Sequence, residues 1–386
     1  MSNEGFAVCK NCIYPSTKPD LEFDKNGVCQ GCNAYRNRKK INWSKKEGLL
    51  KKILFKHKKN SKGNYDCIIP VSGGKDSHYQ VIKILEYGLN PLCVNARTDK
   101  LSAIGRENLN SLEKLGVDLI EVSTDPALRR RINKFTLETI GDISWAEHIT
   151  IFTVPFRIAC DFNIPLIIWG ENPQNENGGP KIHEKAINLD RKWLEEFGGL
   201  LGFRPSDLEN LLRIDKKKLI QYTFPSSKII NKKKIKGLFL GQFLAWDGHA
   251  NAIIANKRGF KFFKKNVEGS IVNYENLDNV QMRIHDYFKY LKYGYDRATD
   301  WCCWNIRRKR LTRKNSIKIN KNKSGKFPNS YLGISLNEIL KEINCSRKEF
   351  IQICDNFTNK NIFKTNKKNQ LIKNKDGSPI LKYKIV

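Results

Sequence analysis

The chain has 386 residues, 40% of them hydrophobic, and a formal net charge of +31. This length allows two or three domains with their own cores, so a single small stapled module is excluded. No stretch approaches the roughly 18 to 20 unbroken apolar residues of a membrane span, and the start, MSNEGFAVCKNC, lacks a basic-then-apolar signal pattern. We therefore expect a soluble, cytoplasmic protein without a membrane partner.

The positive charge raises nucleic acid as a partner, because Lys and Arg neutralise backbone phosphates. Residues 301–386 contain 21 Lys and Arg against 5 Asp and Glu, and they are rich in Asn beside Lys. Net charge reports solubility and non-specific binding rather than a site. A solvated, compositionally biased surface is therefore the preferred interpretation, and nucleic acid is not expected as a partner.

Two C-x-x-C pairs lie in residues 1–45, Cys9 with Cys12 and Cys29 with Cys32. The pattern C-x2-C-x16-C-x2-C lets two tight turns supply four thiolates to a tetrahedral zinc ion. Four thiolates leave no open position, so we predict a structural zinc module and no disulfides. The string GVCQG around Cys29 matches the elbow of a cysteine-dependent glutaminase. We reject this alternative because no strand precedes the string and because Cys29 is required as a metal ligand. Ser2 excludes an N-terminal cysteine nucleophile.

The next elements alternate between helix and strand. Residues 46–64 are predicted as a linker helix, and residues 65–305 as one domain with an insertion at about 173–235. Its predicted strands are 66–71, 91–95, 117–122, 164–169 and 237–241, and its predicted helices are 75–87, 104–115, 127–140 and 149–162. This order predicts an α/β fold with a doubly wound, mostly parallel sheet, whose ligands bind beyond the carboxyl ends of the strands. Residues 306–386 are predicted as a basic linker and a small helical C-terminal appendage.

The segment Ser72-Gly-Gly-Lys-Asp-Ser77 occupies the turn from the first strand to its helix. The glycines allow backbone N–H groups to approach an anion, the serine hydroxyls add donors, and the helix start provides a favourable dipole. The spacing differs from the Walker A loop, in which Lys is followed directly by Ser or Thr. The segment therefore predicts a phosphate-binding loop of another kind.

This segment resembles the PP-loop of the ATP pyrophosphatase superfamily, whose members adenylate an oxygen of the substrate. The resemblance implies that Ser72, Gly73, Gly74, Lys75 and Ser77 bind the β and γ phosphates of ATP. It also implies that Asp76 positions Mg2+. The expected products of this step are an adenylated substrate and pyrophosphate.

Several segments together resemble the N-acetyl sugar amidotransferases of the WbpG and PseA type, over roughly residues 7–310. They are the cysteine pairs and residues 66–95, 167–173, 239–247 and 268–300. The resemblance implies conversion of an acetamido group into an acetamidino group, in the synthesis of bacterial surface glycans and nonulosonic (pseudaminic or legionaminic) acids. Ammonia would attack an O-adenylyl imidate and release AMP.

Polar residues outside the loop are candidates for the site. Gly170, Glu171 and Asn172 follow a predicted strand and are assigned to ATP or to the activated amide, with a plain polar loop as the alternative. Asn95 ends the second strand, where relatives hold the adenine. His148 or Glu147 could take a proton from ammonia, although a polar helix start without a catalytic role explains both equally well. The residues assigned to catalysis are Lys75, Asp76, Glu171 and His148.

Substrate contacts are predicted mainly in the stretch 268–300, where polar groups crowd more densely than a plain core would require. The candidates are Asn273, Tyr274, Glu275, His285, Arg297 and, outside this stretch, Asp247. Arg297 or Lys292 could pair with a sugar carboxylate. The alternative interpretation is that some of these residues lie on the solvent-exposed face of an amphipathic helix.

A PP-loop enzyme that modifies tRNA, for example by base thiolation, is the rival hypothesis. Thiolation normally needs a further cysteine pair, and no C-x-x-C occurs outside the metal module. The adjacent Cys302 and Cys303 are interpreted as packing residues. Because the chain has no glutaminase signature, the ammonia hypothesis predicts a HisH-like glutaminase partner, with or without a HisF-like subunit, or free ammonium.

Overall fold

The computed structural model describes residues 5–60, 65–171, 188–189 and 199–385. In the N-terminal module, isolated bridges join Val8 to Pro15 and Phe23 to Cys29, and helix α1 spans Gln30–Arg38. Helix α2 spans Trp43–Asn60 and leads to the central sheet. The module has few large apolar residues of its own, so its cysteines stand at the centre of its packing.

The central sheet has six strands in the order β3-β2-β1-β4-β6-β5. Their bounds are β1 Cys67–Pro70, β2 Pro91–Ala96, β3 Asp118–Val122, β4 Leu166–Trp169, β5 Asn188–Leu189 and β6 Lys236–Phe239. Every pairing is parallel except that of β5 with β6. This topology confirms the mostly parallel sheet predicted from the sequence.

Helices cover both faces of the sheet, because side chains alternate along each buried strand. Ile69 and Cys93 face a core formed with α3 (Lys75–Glu86) and α4 (Ala103–Ser111). Ile68 and Leu92 face the opposite core, against α6 (Trp145–Phe162). Helix α5 (Pro126–Ile140) begins at its cap Asp125 and ends at Gly141, whose φ of +61° is left-handed.

Two boundaries differ from the sequence prediction. The helix predicted over 104–115 stops at Ser111 and continues as a 3-10 turn over Glu113–Leu115. Helix α6 begins at Trp145 rather than at residue 149. The four additional residues at its start include Glu147 and His148, so these side chains lie in the first turn of a helix rather than before it.

The second half of the chain is helical. Its helices are α7 Pro205–Leu212, α8 Ser227–Lys232, α9 Gly248–Asn256, α10 Met282–Tyr293, α11 Arg297–Arg307, α12 Arg313–Lys323, α13 Leu336–Lys341 and α14 Arg347–Phe357. A short hairpin pairs β7 Ser330–Tyr331 with β8 Ile334–Ser335. Residues 173–187 and 190–198 of the predicted insertion lie outside the described residues. Among the described helices, none combines the length and apolar composition that a membrane span requires.

The predicted C-terminal helical region packs against the rest of the chain. Residues 313–323 form a helix where a linker was predicted. Phe350 and Phe363 share one buried core with Leu137, Ala252 and Leu291. Apolar residues spaced for helices were visible in the sequence, but the surface on which they pack was not.

Candidate active site

The Ser72–Ser77 segment forms a tight turn between the end of β1 and the start of α3. The Ser72 N–H donates to the Ser77 hydroxyl at 2.9 Å, and the Gly74 N–H donates to the Ser72 hydroxyl at 3.3 Å. Gly73 has φ +85°, and a Cβ there would lie 2.8 Å from the backbone nitrogen of Leu109. Glycine is therefore required at residue 73, both by its backbone conformation and by the approach of α4.

Lys75 is held between two carboxylates. Its Nζ lies 2.6 Å from Asp76 and 2.5 Å from Glu275, and only 6% of the residue is exposed. Burial lowers the pKa of Lys75, but the charges of Asp76 and Glu275 outweigh burial and raise it above its usual value. Lys75 is therefore a fixed cation inside the site, 5.8 Å above the ring of Trp301.

Asp76 is oriented from both sides. One oxygen accepts from Nδ2 of Asn251 at 2.9 Å, and the other pairs with Lys75. Asp76, Glu171 and Glu275 line one cleft. Mg2+ prefers oxygen ligands and commonly uses one or two carboxylates together with phosphate oxygens, so this set of donors fits the ion.

The cleft is closed on its other side by residues of the second half of the chain. They are Trp246, Asp247, Gly248, Trp301, Trp304, Asn305, Arg308 and Arg310. Asp247 caps α9 by accepting from the His249 N–H at 3.1 Å, and it pairs with Arg308 at 3.4 Å and with Arg310. The sequence predicts Asp247 as a substrate contact. In the structure, Asp247 forms ion pairs with two arginines at the cleft wall.

A larger open pocket of about 900 Å³ adjoins this cleft, and Asn305 and Arg310 line both. Its wall includes His249 and three lysines, Lys264, Lys265 and Lys323. Asn273 and Tyr274, predicted as substrate contacts, line this pocket. The Asn273 amide donates to the Phe263 carbonyl at 2.8 Å, and the Tyr274 hydroxyl lies 2.8 Å from Nδ1 of His249.

Two further predicted substrate residues lie beside the loop. Glu275 binds Lys75 with one oxygen, and its other oxygen lies 3.9 Å from Arg297. Arg297 also lies 3.5 Å from Asp286. A chain of alternating charges therefore runs from the loop lysine into α10 and α11. Lys292, by contrast, donates to the carbonyls of Ile140 and Gly141.

His148 and His285 meet at a shared carboxylate that the sequence analysis did not identify. Nδ1 of His285 lies 3.0 Å and Nδ1 of His148 lies 3.5 Å from the oxygens of Asp142. Burial lowers the pKa of His148, but Asp142 outweighs burial and raises it. His148 is thus paired in a cluster with His285, one of the predicted substrate residues.

The other residues predicted to bind the nucleotide contact neighbouring parts of the protein. The buried Asn95 donates to the Val71 carbonyl at 2.6 Å, which braces the end of β1 against β2. Gly170 has no space for a side chain, since a Cβ would lie 2.7 Å from the Gln80 amide nitrogen. Asn172 lies outside the described residues. A nucleotide contact by Asn95 or Gly170 remains a prediction.

The four cysteines of the N-terminal module converge, with all four sulfurs within 4.8 Å of one another. The Cys12 and Cys29 sulfurs are 3.6 Å apart, and those of Cys9 and Cys32 are 4.0 Å apart. Tetrahedral zinc with Zn–S bonds of about 2.3 Å separates its sulfurs by about 3.8 Å. All four cysteines are buried, so the cluster fits a closed, structural zinc site.

Helices α11 and α12 supply the surroundings of these cysteines. The buried Arg307 lies with Nε 3.5 Å from the Cys32 sulfur and Nη2 3.8 Å from the Cys29 sulfur. Arg313 donates to the carbonyls of Cys12 at 3.1 Å and Cys9 at 3.3 Å. A zinc ion with four thiolates carries a net negative charge, and Arg307 is placed to offset it.

A family model describes the domain that completes this site. Residues 263–375 match the family "LPS biosynthesis protein WbpG-like, C-terminal domain". Residues 263–375, here called the WbpG-like domain after this similarity, are less than a third of the chain. The match confirms the predicted resemblance for the part of residues 7–310 that it covers. The WbpG-like domain contributes Glu275 and Arg310 to the cleft wall, and Arg297 pairs with Glu275.

Three further comparisons give partial matches to this chain. The uncharacterized protein MJ1599 of Methanocaldococcus jannaschii is 32% identical over 121 residues, which are 30% of this chain and 43% of that protein. This chain therefore spans less than half of that relative. NMN synthetase from Francisella tularensis aligns over 58% of this chain and 99% of its own, with a TM-score of 0.29 and 13% identity. NH3-dependent NAD synthetase from Campylobacter jejuni aligns over 56% and 97%, with a TM-score of 0.29 and 15% identity.

Several residues of the site escaped the sequence analysis because their partners are remote in the chain. Asn251 is 175 residues from Asp76, and Arg307 is 275 residues from Cys32. Asp142 stands alone in the sequence and acquires a role only through two histidines from different helices. The basic run that contains Arg308 and Arg310 was visible, but its purpose could not be assigned from the sequence.

Proposed function

We propose that this protein is an ATP-dependent amidotransferase that converts the acetamido group of a bacterial surface-glycan or nonulosonic acid sugar into an acetamidino group. The observation that carries the proposal is the ion pair between Lys75 of the phosphate loop and Glu275 of the WbpG-like domain. This contact places the loop and the domain on one cleft, where a nucleotide and a sugar could meet.

The loop residues suit a reaction at the α-phosphorus. The amide oxygen of the sugar would attack this phosphorus, and pyrophosphate would leave toward the N-terminus of α3. There the backbone N–H groups, the helix dipole and Lys75 would stabilise its charge. Magnesium held by Asp76, with Glu171 or Glu275, would neutralise further phosphate charge. Asp76, Glu171 and Glu275 outnumber the single charge of Lys75, so this group of side chains is net negative and would favour the entry of Mg2+ together with the triphosphate.

The open pocket beside the cleft suits the sugar. Lys264, Lys265, Arg310 and Lys323 line it, which favours a substrate carrying carboxylate or phosphate groups. Pocket and cleft share Asn305 and Arg310, so a sugar held there could direct its amide toward the loop.

The cysteines favour this proposal over tRNA thiolation. Every cysteine of the chain is buried, including the seven outside the metal cluster, so none is presented as an accessible sulfur carrier. Ammonia is then the second nucleophile, and we propose a HisH-like glutaminase, with or without a HisF-like subunit, as its source in the cell.

The purified chain should be incubated with ATP, magnesium, ammonium and a panel of acetamido sugars, free and nucleotide-linked. We expect AMP and pyrophosphate, together with a sugar whose mass falls by the difference between an oxygen atom and an NH group. Formation of ADP would contradict adenylation, and an unchanged sugar panel would contradict the sugar amide as acceptor. Nitrogen-labelled ammonium should label the product, and glutamine alone should not replace it.

A further inference from the structure

Three carboxylates from separate parts of the chain converge behind the phosphate loop. Asp99 follows β2, Glu147 lies in the first turn of α6, and Asp278 precedes α10. The charges of Asp99 and Asp278 act directly on Glu147. Glu147 accepts from the Thr98 hydroxyl at 2.5 Å with one oxygen and from the Asn279 amide with the other. These donors fix both oxygens of Glu147.

In this cluster, the carboxylate of Asp99 is paired with Arg129. Nε of Arg129 lies 2.6 Å from Asp99, and both side chains are at least nine-tenths buried. Glu147 forms no ion pair within the part of the chain that the structure describes. Burial, and then the charges of Asp99 and Asp278, raise the pKa of Glu147 to about 7. Among the described residues, Arg129 is the cation that acts on Glu147, and it is paired with Asp99 rather than with Glu147.

Buried acceptors in the same network lack donors. Oδ2 of Asp99 and Oδ1 of Asn133 have no hydrogen-bond partner among the described residues, although Asn133 donates to Asp99 at 2.7 Å. The Asp99 side chain is 4% exposed and Asn133 is 1% exposed. Nη2 of Arg129 is also unpaired there. Ammonium supplies four N–H donors and a positive charge, and ammonia supplies donors together with a lone pair that can accept from Arg129.

The cluster adjoins the site of adenylation. Ser72 of the phosphate loop lies close enough to Asp278 to act on its carboxylate, so the loop and the carboxylate cluster are neighbours. The charge of Glu275, which binds Lys75, also acts on Asp278. A nucleophile released beside Glu147 would therefore start close to the loop.

We propose that the cluster of Asp99, Glu147 and Asp278 binds ammonium and that Glu147 is the general base that converts it to ammonia. This inference rests on the proposed function. Glu147 takes one proton from ammonium, and the lone pair so freed forms a C–N bond to the imidate carbon. The C–O bond to AMP breaks, and AMP leaves with the electron pair. The three remaining hydrogens stay on the amidinium product, and Glu147 releases its proton to solvent.

The test compares Glu147→Gln with wild type in two assays. Sugar-dependent exchange of pyrophosphate into ATP measures adenylation alone, and amidine formation measures the whole reaction. We expect exchange within about twofold of wild type, because the glutamine keeps the size of the side chain and an acceptor oxygen. Amidination with ammonium should fall by about 10² to 10⁴-fold, the usual contribution of general base catalysis.

Hydroxylamine separates a base from a structural residue. It is a much weaker base than ammonia and is already deprotonated at neutral pH, so it needs no enzyme base before it attacks. Glu147→Gln should therefore react with hydroxylamine nearly as fast as wild type. The exposed Glu138 on α5 provides the matched control, Glu138→Gln, which should behave as wild type in every assay. Equal losses with both nucleophiles, or loss of exchange, would overturn the role of Glu147.

A measurement on wild type remains decisive if the variant does not fold. When ammonium is bound as the cation, KM for total ammonium changes by no more than about twofold from pH 7 to 8.5, as Glu147 completes its ionisation. When free ammonia is captured from solution, KM for total ammonium falls about tenfold per pH unit. The second result would overturn the ammonium site. Absence of sugar-dependent exchange in wild type would instead refute the proposed function, and this inference with it.

Discussion

At the scale of single residues, the phosphate loop depends on features that no other residue type supplies. Gly73 combines a left-handed backbone with contact to the backbone of α4, and Lys75 keeps its charge in a buried position because two carboxylates face it. Neither property belongs to the residue alone. Each is imposed by the neighbours that the fold brings to it.

Gly73→Ala should therefore disable the loop. The new Cβ would meet the Leu109 backbone at 2.8 Å, and alanine disfavours φ +85° by about 1 to 2 kcal/mol. We expect pyrophosphate exchange to fall at least about 100-fold, with a lower thermal midpoint. Gly48→Ala is the control, since Gly48 lies in α2 with open space at its Cβ. It should raise stability by about 0.5 to 1 kcal/mol and leave exchange unchanged. Equal effects of the two changes would contradict this account.

At the scale of secondary structure elements, α11 joins the active site to the metal cluster. Arg297 at its start faces Glu275 and Asp286, and Arg307 at its end faces Cys29 and Cys32. Trp301, between these ends, lies over Lys75. One helix therefore positions groups at both sites.

Arg307→Met should lower the affinity of the four cysteines for zinc. The buried guanidinium offsets the negative charge of the tetrathiolate, and loss of such an outer partner typically lowers metal affinity by about 10 to 100-fold. The rate of zinc release to a coloured chelator measures the effect. Arg307→Lys should give an intermediate rate, because it keeps the charge but loses the second donor. Lys314→Met, an exposed change on α12, should release zinc at the wild-type rate. Release from Arg307→Met at that same rate would refute the charge argument.

At the scale of the whole molecule, the N-terminal module and the C-terminal region stabilise each other. Tyr14 donates to Asp300 at 2.8 Å, and the cysteines share a buried cluster with Tyr295, Cys302 and Cys303. Cys302 and Cys303 are thus packing residues, as the sequence analysis interpreted them, but they pack against the metal module. Tyr14 and Asp300 are 286 residues apart in the chain.

Removal of zinc should therefore loosen more than the N-terminal module. Hydrogen exchange before and after chelation should show lost protection in residues 5–38 and also in α11 and α12, because Arg307 and Arg313 lose their partners. Strands β1 and β2 should keep their protection, since their cores do not include the cysteines. Loss confined to residues 5–38 would show that the module is independent.

Much of this architecture is encoded locally and could be predicted. Strands β1 and β4 are continuous apolar runs, the phosphate loop follows from residue types at adjacent positions, and the zinc cysteines are identified by their spacing. The start of α6 was placed four residues late, because the apolar periodicity begins after the capping turn. The C-terminal helices were expected from their spacing, but their shared core with α9 and α10 was not.

The sequence by itself determined the elements, the loop and the metal ligands, since each depends on residues close together in the chain. Only the tertiary structure decided which distant side chains face them: Glu275 on Lys75, Asp142 between His148 and His285, and Arg307 on the cysteines. Such pairs arise from the packing of separate helices and leave no periodic signal. The physical reason is that charge partners meet through the three-dimensional fold, whereas secondary structure and turn chemistry are set by neighbours along the chain.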